Sequence, residues 1–352
     1  MPATALSPLG FDFDAAIVAP CGMPPAPRPM AGGATPLTPL APGSRHQREK
    51  LAVLSAFPEL ALQGAAGFDP GPALAALATH AAADHPDAWG WDGRRAEALW
   101  LGTAVDVDAH GQAEVVQTAP GRFGHGDEVA RCLRALPPVW RLPGLLALAF
   151  AEDLAIVEAD GGRIAWTAVA LPSHWSPQDQ IGRSLAEVHV PRPDAELRQH
   201  AADVLARLVA GPERRERFAW TVTGHPRLHA HPRHVDPRRW PADAASTWPG
   251  CAWWRSERES FLPLPSLQQA VFTIGVEVTP LDAAIATPAQ AARLRDAVAS
   301  MTPAALGDRA LAAVRDILLT WLAARTVGDA VETADAGAAA PASARPSGRP
   351  CR

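Results

Sequence analysis

His189 is the residue whose position most directly suggests chemistry. It stands between two valines and is followed closely by Pro191 and Pro193. Proline fixes its own φ and restricts the residue before it, so this pair limits the conformations of the chain beside the imidazole. A neutral imidazole held in one orientation can serve as an axial ligand of haem iron. On spacing alone, a packed or hydrogen-bonded histidine is the preferred interpretation.

Four more imidazoles lie within ten residues, at His225, His229, His231 and His234. Such a density is compatible with a zinc site or a second metal site. Pro226 and Pro232 argue against one helix that presents all four, and neither a nearby cysteine nor an HExxH pattern accompanies them. We therefore favour a solvated basic loop, and we keep His234 as the alternative axial ligand.

Cysteine usage and charge exclude several other classes of function. The four cysteines are scattered without a CxxC pair, which indicates neither a disulfide framework nor a cysteine-based zinc or iron–sulfur site: Cys21, Cys132, Cys251 and Cys351. A net charge of -5 gives no overall attraction to nucleic acid or to an anionic membrane surface. The most apolar stretch, residues 142–157, is too short to span a bilayer, and no export signal is recognisable. We expect a cytoplasmic protein.

Periodicity predicts the elements that position these residues. Helices are expected at residues 45–60, 72–83, 194–210, 288–300 and 303–324. Two antiparallel strand pairs are predicted at residues 98–106 with 113–118 and at residues 153–158 with 163–171, and single strands at 217–223, 254–262 and 270–278.

The order of these elements determines the fold class. Helices come first, then hairpins, a connecting helix, further strands and terminal helices, without the regular alternation of strand and helix that builds a parallel sheet. The sequence predicts an α+β fold with an antiparallel sheet. Residues 1–38 and 329–352 are rich in Pro, Ala and Gly and are expected to be disordered, which leaves one domain at residues 39–328.

Residues 171–193 resemble the signature of the haem-dependent oxidative N-demethylase family, the catalytic subunits of dimethylamine monooxygenases. The matching positions are Pro172, Ser173, Trp175, Ile181, Gly182, Arg183, Leu185, His189, Pro191 and Pro193. Further similar stretches follow in the same order at residues 152–154, 217–222, 257–260, 264–265 and 272–274. A colinear series, covering roughly residues 36–281, is more specific than any single motif.

The resemblance implies a PAS-like, helix-grip antiparallel sheet wrapped by helices, with extra N- and C-terminal helices, that encloses haem b. It implies oxidation of a secondary amine by O₂ to a primary amine and formaldehyde, with His189 as the axial ligand. Electrons would come from NAD(P)H through a separate flavin and iron–sulfur reductase, and other monooxygenase subunits are conceivable partners. The chain fits this division of labour because it has no glycine-rich dinucleotide fingerprint of its own.

The residues that we expect to set the polarity of such a pocket lie on the predicted strands. Glu257 and Arg258 must point to opposite faces of a strand, so at most one of them faces the pocket, and we favour Glu257. A pocket carboxylate could bind an ammonium substrate, whereas Arg217 or Arg183 could anchor a haem propionate. Ordinary salt bridges are the alternative. The full candidate set is Glu257, Ser260 and Arg217 for catalysis, and His189, Arg183, Trp175 and Arg258 for the cofactor.

Five positions depart from the family pattern. Ala219 replaces Asn and Glu259 replaces Gln on the strands, and the signature segment carries His174 for Arg, Gln180 for Lys and Ser184 for Pro. Loss of the amide at position 219 removes a potential hydrogen-bond donor to bound oxygen or substrate. The alternatives to the enzyme are therefore a catalytically silent PAS-like sensor of haem or a small molecule, and an assembly subunit.

Overall fold

The structure is a computed structural model of the chain, and it describes residues 9–17, 27–184, 187–188 and 211–327. The predicted helix at residues 194–210 and His189 lie outside these described residues, as do residues 1–8, 18–26 and 329–352. Within the described parts, the predicted α+β class with an antiparallel sheet is confirmed.

Eleven strands are found among the described residues. They are β1 (Arg28–Pro29), β2 (Leu62–Gly64), β3 (Trp89–Trp91), β4 (Arg95–Ala98), β5 (Thr103–Val107), β6 (Ala113–Gln117), β7 (Asp153–Glu158), β8 (Ile164–Ala168), β9 (Arg215–Thr223), β10 (Trp253–Leu264) and β11 (Gln269–Pro280). Seven form the main sheet, in the order β1-β9-β10-β11-β7-β8-β2, and four form a second sheet, in the order β3-β4-β5-β6.

The helices of the described residues lie before, between and after the strands. They are α1 (Phe13–Ala16), α2 (Arg45–Ala56), α3 (Pro58–Ala61), α4 (Gly71–Asp84), α5 (Glu128–Ala135), α6 (Arg141–Ala149), α7 (Ala244–Thr247), α8 (Leu281–Ala284), α9 (Pro288–Ala299), α10 (Pro303–Asp308) and α11 (Arg315–Val327). None of them combines the length and the apolar character that crossing a bilayer requires.

The predicted hairpins are confirmed, with one correction. β7 pairs with β8 across a turn in which Gly161 and Gly162 both adopt positive φ. β5 pairs with β6 as expected. The predicted strand at residues 98–106 is not continuous, because β4 ends at Ala98 and β5 begins at Thr103. Gly102, at φ 57°, separates them, and a Cβ at this position would collide with the carbonyl oxygen of Ala119. The sequence pattern missed this sharp turn because the apolar run continues through Leu99, Trp100 and Leu101 up to Gly102.

The last predicted helix is also wrong in one respect. Residues 303–324 do not form one helix, because α10 ends at Asp308 and α11 begins at Arg315. Ala310 lies between them with φ 55°, a left-handed conformation that cannot continue a helix. The apolar spacing continues through the break because both pieces pack against the same core, with Leu306 and Leu318 buried in it.

The two faces of the main sheet are covered by different parts of the chain. Phe218, Trp220 and Trp254 lie on one face and pack against the C-terminal helices, in a core that includes Leu294 and Leu318. The opposite face carries Glu257 and is referred to below as the Glu257 face. The C-terminal helices therefore cover the face of the sheet opposite to Glu257.

Candidate functional site

The register of β9, β10 and β11 aligns the candidate residues in rows across the Glu257 face. Directly opposed residues of antiparallel strands share a face, so each row is a set of side-by-side neighbours. The three rows are Ala219–Glu257–Val276, Arg217–Glu259–Ile274 and Thr221–Arg255–Val278. Two of the predicted site residues, Glu257 and Arg217, therefore lie in adjacent rows.

Glu257 is held by a short chain of hydrogen bonds. Ser173 Oγ donates to Glu257 Oε1, and Arg255 Nε donates to the same hydroxyl oxygen at 2.6 Å. Burial raises the pKa of Glu257, and the neighbouring Glu259 carboxylate raises it further. The contact with Ser173 joins the middle of the sheet to the segment that carries the family-like signature.

Three adjoining residues keep accessible surface in an otherwise buried part of the Glu257 face. Glu257, Ala219 and Ser173 are half-buried, whereas Arg217 and Arg255 in the neighbouring rows are buried. Glu257 thus keeps accessible surface although the charged residues beside it are enclosed. We call the partly accessible patch formed by Ala219, Glu257 and Ser173 the Glu257 hollow.

An ion pair closes one side of the Glu257 hollow. Arg217 Nε donates to Glu259 Oε2, and both side chains are buried. Glu259 is the residue that stands where the family pattern has glutamine, so in this chain the arginine faces a full negative charge. Two buried ions of opposite sign require each other, because either one alone would carry an uncompensated desolvation cost.

Arg255 fixes the loops above the hollow and was not among the predicted residues. Its guanidinium donates to the carbonyl oxygens of Leu171 at 3.2 Å, Pro172 at 3.1 Å, Arg227 at 3.0 Å and Leu228 at 2.8 Å. Burial lowers its pKa to about 10, which still leaves it charged near neutral pH. The signal available in the sequence was its two-residue spacing from Glu257, which places both on one face.

A second buried charge anchors the start of the signature segment. Lys50 Nζ lies 3.0 Å from Asp153 Oδ1 and donates to the carbonyl oxygens of Phe150 and Glu152, at 3.1 and 2.8 Å. Asp153 Oδ2 in turn accepts the backbone N–H of Leu171 at 2.6 Å. The sequence similarity includes Asp153 only as part of residues 152–154, without a role, and no sequence pattern predicted a role for Lys50.

The signature segment continues towards the predicted haem ligand. Trp175 is half-buried against the main core, and Arg183 donates to Gln180 Oε1 at 3.1 Å and to the carbonyl oxygen of Glu187 at 2.8 Å. Ser184 and Glu187 exchange backbone-to-side-chain hydrogen bonds of 2.8 and 3.1 Å, the reciprocal pattern of a helix start. Val188 is helical and packs against the core. His189, directly after it, lies outside the described residues.

The other histidines form two small groups. His174 and His225 approach to 3.1 Å between their Nε2 atoms, and burial lowers their pKa values to about 3 and about 4, so both are neutral near neutral pH. His229 Nε2 lies 3.0 Å from Nδ1 of His234, which is exposed beside Phe57. Among the described residues, no group of three or more His, Cys, Asp or Glu side chains is arranged to hold a metal ion.

Arg258 and Ser260 lie on the other face of β10. Arg258 Nη2 is 2.9 Å from Glu216 Oε2, and Glu216 also pairs with Arg28 at 3.2 Å. Ser260 is buried opposite Glu216 and Thr273. The structure therefore brings Glu257 and Arg217 together at the hollow and places these two candidates away from it.

These features define an α+β protein with an acidic hollow on one face of an antiparallel sheet. A family model described as haem-dependent oxidative N-demethylase, alpha subunit-like, matches residues 143–319, and the chain belongs to that family. The family predicted from the sequence is thus confirmed. No curated protein matches the chain.

One row on the Glu257 face bears on haem through a single polar group. The row Phe261–Phe272–Ala155–Thr167 is apolar apart from Thr167 and is buried in the core. The Thr167 hydroxyl is buried in that row without a hydrogen-bond partner among the described residues, so polar capacity is left over. Arg217, in the adjacent row, is a buried cation already paired with Glu259, so a propionate would have to replace that carboxylate as its partner.

Proposed function

We propose that this protein is a haem-dependent oxygenase that oxidises a secondary amine to a primary amine and formaldehyde, within one PAS-like, helix-grip domain at residues 39–328. O₂ supplies one oxygen atom to formaldehyde and one to water. Two electrons and two protons balance the reaction, and the electrons come from NAD(P)H through a separate reductase. Membership of the family supports the reaction class, and the observation that carries the substrate class is the half-buried carboxylate of Glu257.

Glu257 binds the ammonium form of the substrate in this proposal. A cation beside the carboxylate offsets the cost of holding a negative charge inside the protein, and the two form a charge-assisted hydrogen bond. Ser173 and Arg255 orient the carboxylate, because the hydroxyl that donates to Glu257 is itself fixed by the guanidinium. The Arg217–Glu259 pair keeps one adjacent row neutral overall, and Arg255 in the other row directs its donors to Ser173 and to four carbonyl groups, so the charge of Glu257 is only partly compensated.

His189 would hold haem b in this proposal, and the bound haem would supply the activation of O₂. Arg217 and Arg183 are the candidates for the propionates, and Trp175 contributes to the pocket wall. His234 is the alternative ligand, but it is exposed and lies beside a second imidazole rather than alone.

Purification with added haem tests the proposal. The wild type is expected to show a Soret band and to consume reductant in an amine-dependent reaction that releases formaldehyde. His189→Ala should lose the ligated spectrum, whereas the matched variant His234→Ala should keep it. A wild type without a Soret band, or a His189→Ala protein with an unchanged spectrum, would falsify the haem assignment. A normal spectrum without formaldehyde would instead identify the silent sensor.

A further inference from the structure

The residues of the row Ala219–Glu257–Val276 also indicate which groups the substrate carries on its ammonium nitrogen. Its carboxylate is flanked on both sides by apolar side chains, one from each neighbouring strand. A dialkylammonium ion has the same pattern, with a charged nitrogen between two apolar groups. We propose that Ala219 sets the size of the substrate, and that the Glu257 hollow accepts a secondary amine with one N-substituent larger than methyl. This inference rests on the proposed function.

The two residues that flank Glu257 in this row differ in exposure. Val276 is buried, with 1 % of its surface exposed, whereas Ala219 is half-buried and keeps accessible surface. Directly opposed residues of antiparallel strands have Cβ atoms about 4.5–5.5 Å apart, so a longer side chain at position 219 would occupy the space beside the Glu257 carboxylate. The larger substituent therefore lies against Ala219, and the smaller one lies on the Val276 side.

The neighbours of Ala219 along β9 do not fill this space. Arg217 is paired with Glu259 in the adjacent row. Thr221, on the other side, donates its hydroxyl to the carbonyl oxygen of Arg309 at 3.0 Å. Ala219 is thus the one short side chain among the three β9 residues of these rows, and its methyl group presents an apolar surface to the ligand.

A series of amines tests the inference on the haem-loaded wild type. The probes are dimethylamine, N-methylethylamine, N-methylpropylamine and N-methylbutylamine, and their affinities are measured by calorimetry and by perturbation of the Soret band. Each buried methylene strengthens binding about fourfold, so N-methylbutylamine, with three more methylenes, is expected to bind about 60-fold more tightly than dimethylamine. Equal affinities across the series, or a preference for dimethylamine, would overturn the inference.

Variants at position 219 then locate the effect. Ala219→Val should reduce the preference for the longer amine by about tenfold or more, because its two methyl groups occupy the same space. Ala219→Ser, which adds little volume, should keep it, as should Ala283→Val on the exposed helix α8. A preference that survives Ala219→Val in a folded, haem-containing protein contradicts the assignment. Failure of the wild type to bind any of the amines would instead refute the proposed function itself.

Discussion

Glu257 is a carboxyl group in a largely buried part of the sheet that nevertheless keeps accessible surface. Carboxylates are seldom buried unless a partner compensates their charge. Here the hydroxyl of Ser173 is a neutral partner, and Arg255, the nearby cation in the row alongside, is already committed to four carbonyl groups and to Ser173. The charge of Glu257 is therefore only partly compensated, and it favours a cationic ligand.

Amine affinity is expected to depend on pH through Glu257. Burial raises the pKa of this carboxyl group, so affinity should weaken as the pH falls through that raised pKa and the anion is protonated. The amine stays protonated in this range, because its pKa resembles the value of about 10.4 for lysine. His174 and His225, with pKa values of about 3 and about 4, stay neutral. Calorimetric dissociation constants between roughly pH 5 and pH 9 measure the effect.

Glu257→Gln provides the control for this dependence. The amide has nearly the shape of the carboxyl group but no charge, so amine affinity should fall about tenfold or more, the loss of one charge-assisted hydrogen bond. The remaining affinity should not vary with pH over the same interval. A variant that binds amines as tightly as the wild type would show that the ammonium group is held elsewhere.

At the residue level, strand alternation predicted that Glu257 and Arg258 lie on opposite faces of β10, as they do, but it could not decide which of them faces a pocket. The same rule could have found Arg255, but its role depends on four carbonyl groups from two distant loops, which no local pattern reveals. The partners of Lys50 likewise come from about 100 residues away along the chain. Long-range polar contacts of this kind are invisible to periodicity.

The signature segment is an element held by buried charges at its start. Asp153, the first residue of β7, binds both Lys50 and the backbone N–H of Leu171. Arg255 then binds the carbonyl groups of Leu171 and Pro172, just before Ser173 meets Glu257. The position of Ser173 thus depends on two buried cations, one on α2 and one on β10.

Lys50→Met should strongly destabilise the protein. It leaves the Asp153 carboxylate buried without a counter-ion, for which a cost of about 3–5 kcal/mol is expected in the free energy of unfolding. Lys50→Met combined with Asp153→Asn should recover much of that loss, because asparagine can still accept the N–H of Leu171 without a charge. Urea denaturation measures both. Arg131→Met, which breaks an exposed ion pair on α5, should cost less than about 1 kcal/mol.

Most elements were predictable because their apolar periodicity coincides with their burial. β9, β10 and β11 extend beyond the predicted strands by one or two residues at most of their ends, and α4 extends beyond its predicted helix by one at each end. Errors arose where a backbone conformation, rather than a pattern, ends the element: Gly102 before β5 and Ala310 before α11. A left-handed alanine has no sequence signature, since its conformation is imposed by the packing of the two helices around it.

On the scale of the whole molecule, the two faces of the main sheet differ in what they contact. The Glu257 face carries the hollow and the signature segment, and the opposite face of β9 and β10 packs on the C-terminal helices. Changes in the C-terminal core can therefore lower stability while the arrangement of the side chains at the hollow is retained.

Leu294→Ala tests this separation. Leu294 is fully buried on α9, and its truncation is expected to cost about 2–5 kcal/mol in the free energy of unfolding. Amine dissociation constants of the folded variant should stay within about twofold of the wild type, in contrast to variants at Ala219 or Glu257. A large change in amine affinity would show that the two faces of the sheet are coupled.

Lys50 also offers a means of observing the molecule open. It is the single lysine among 352 residues, and its side chain is fully buried in the pair with Asp153. A reagent that acylates primary amines can modify this side chain only in molecules whose interior has become accessible. The rate at which Lys50 is acylated, followed by mass spectrometry, therefore measures how often this region unfolds in the native protein, without any engineered label.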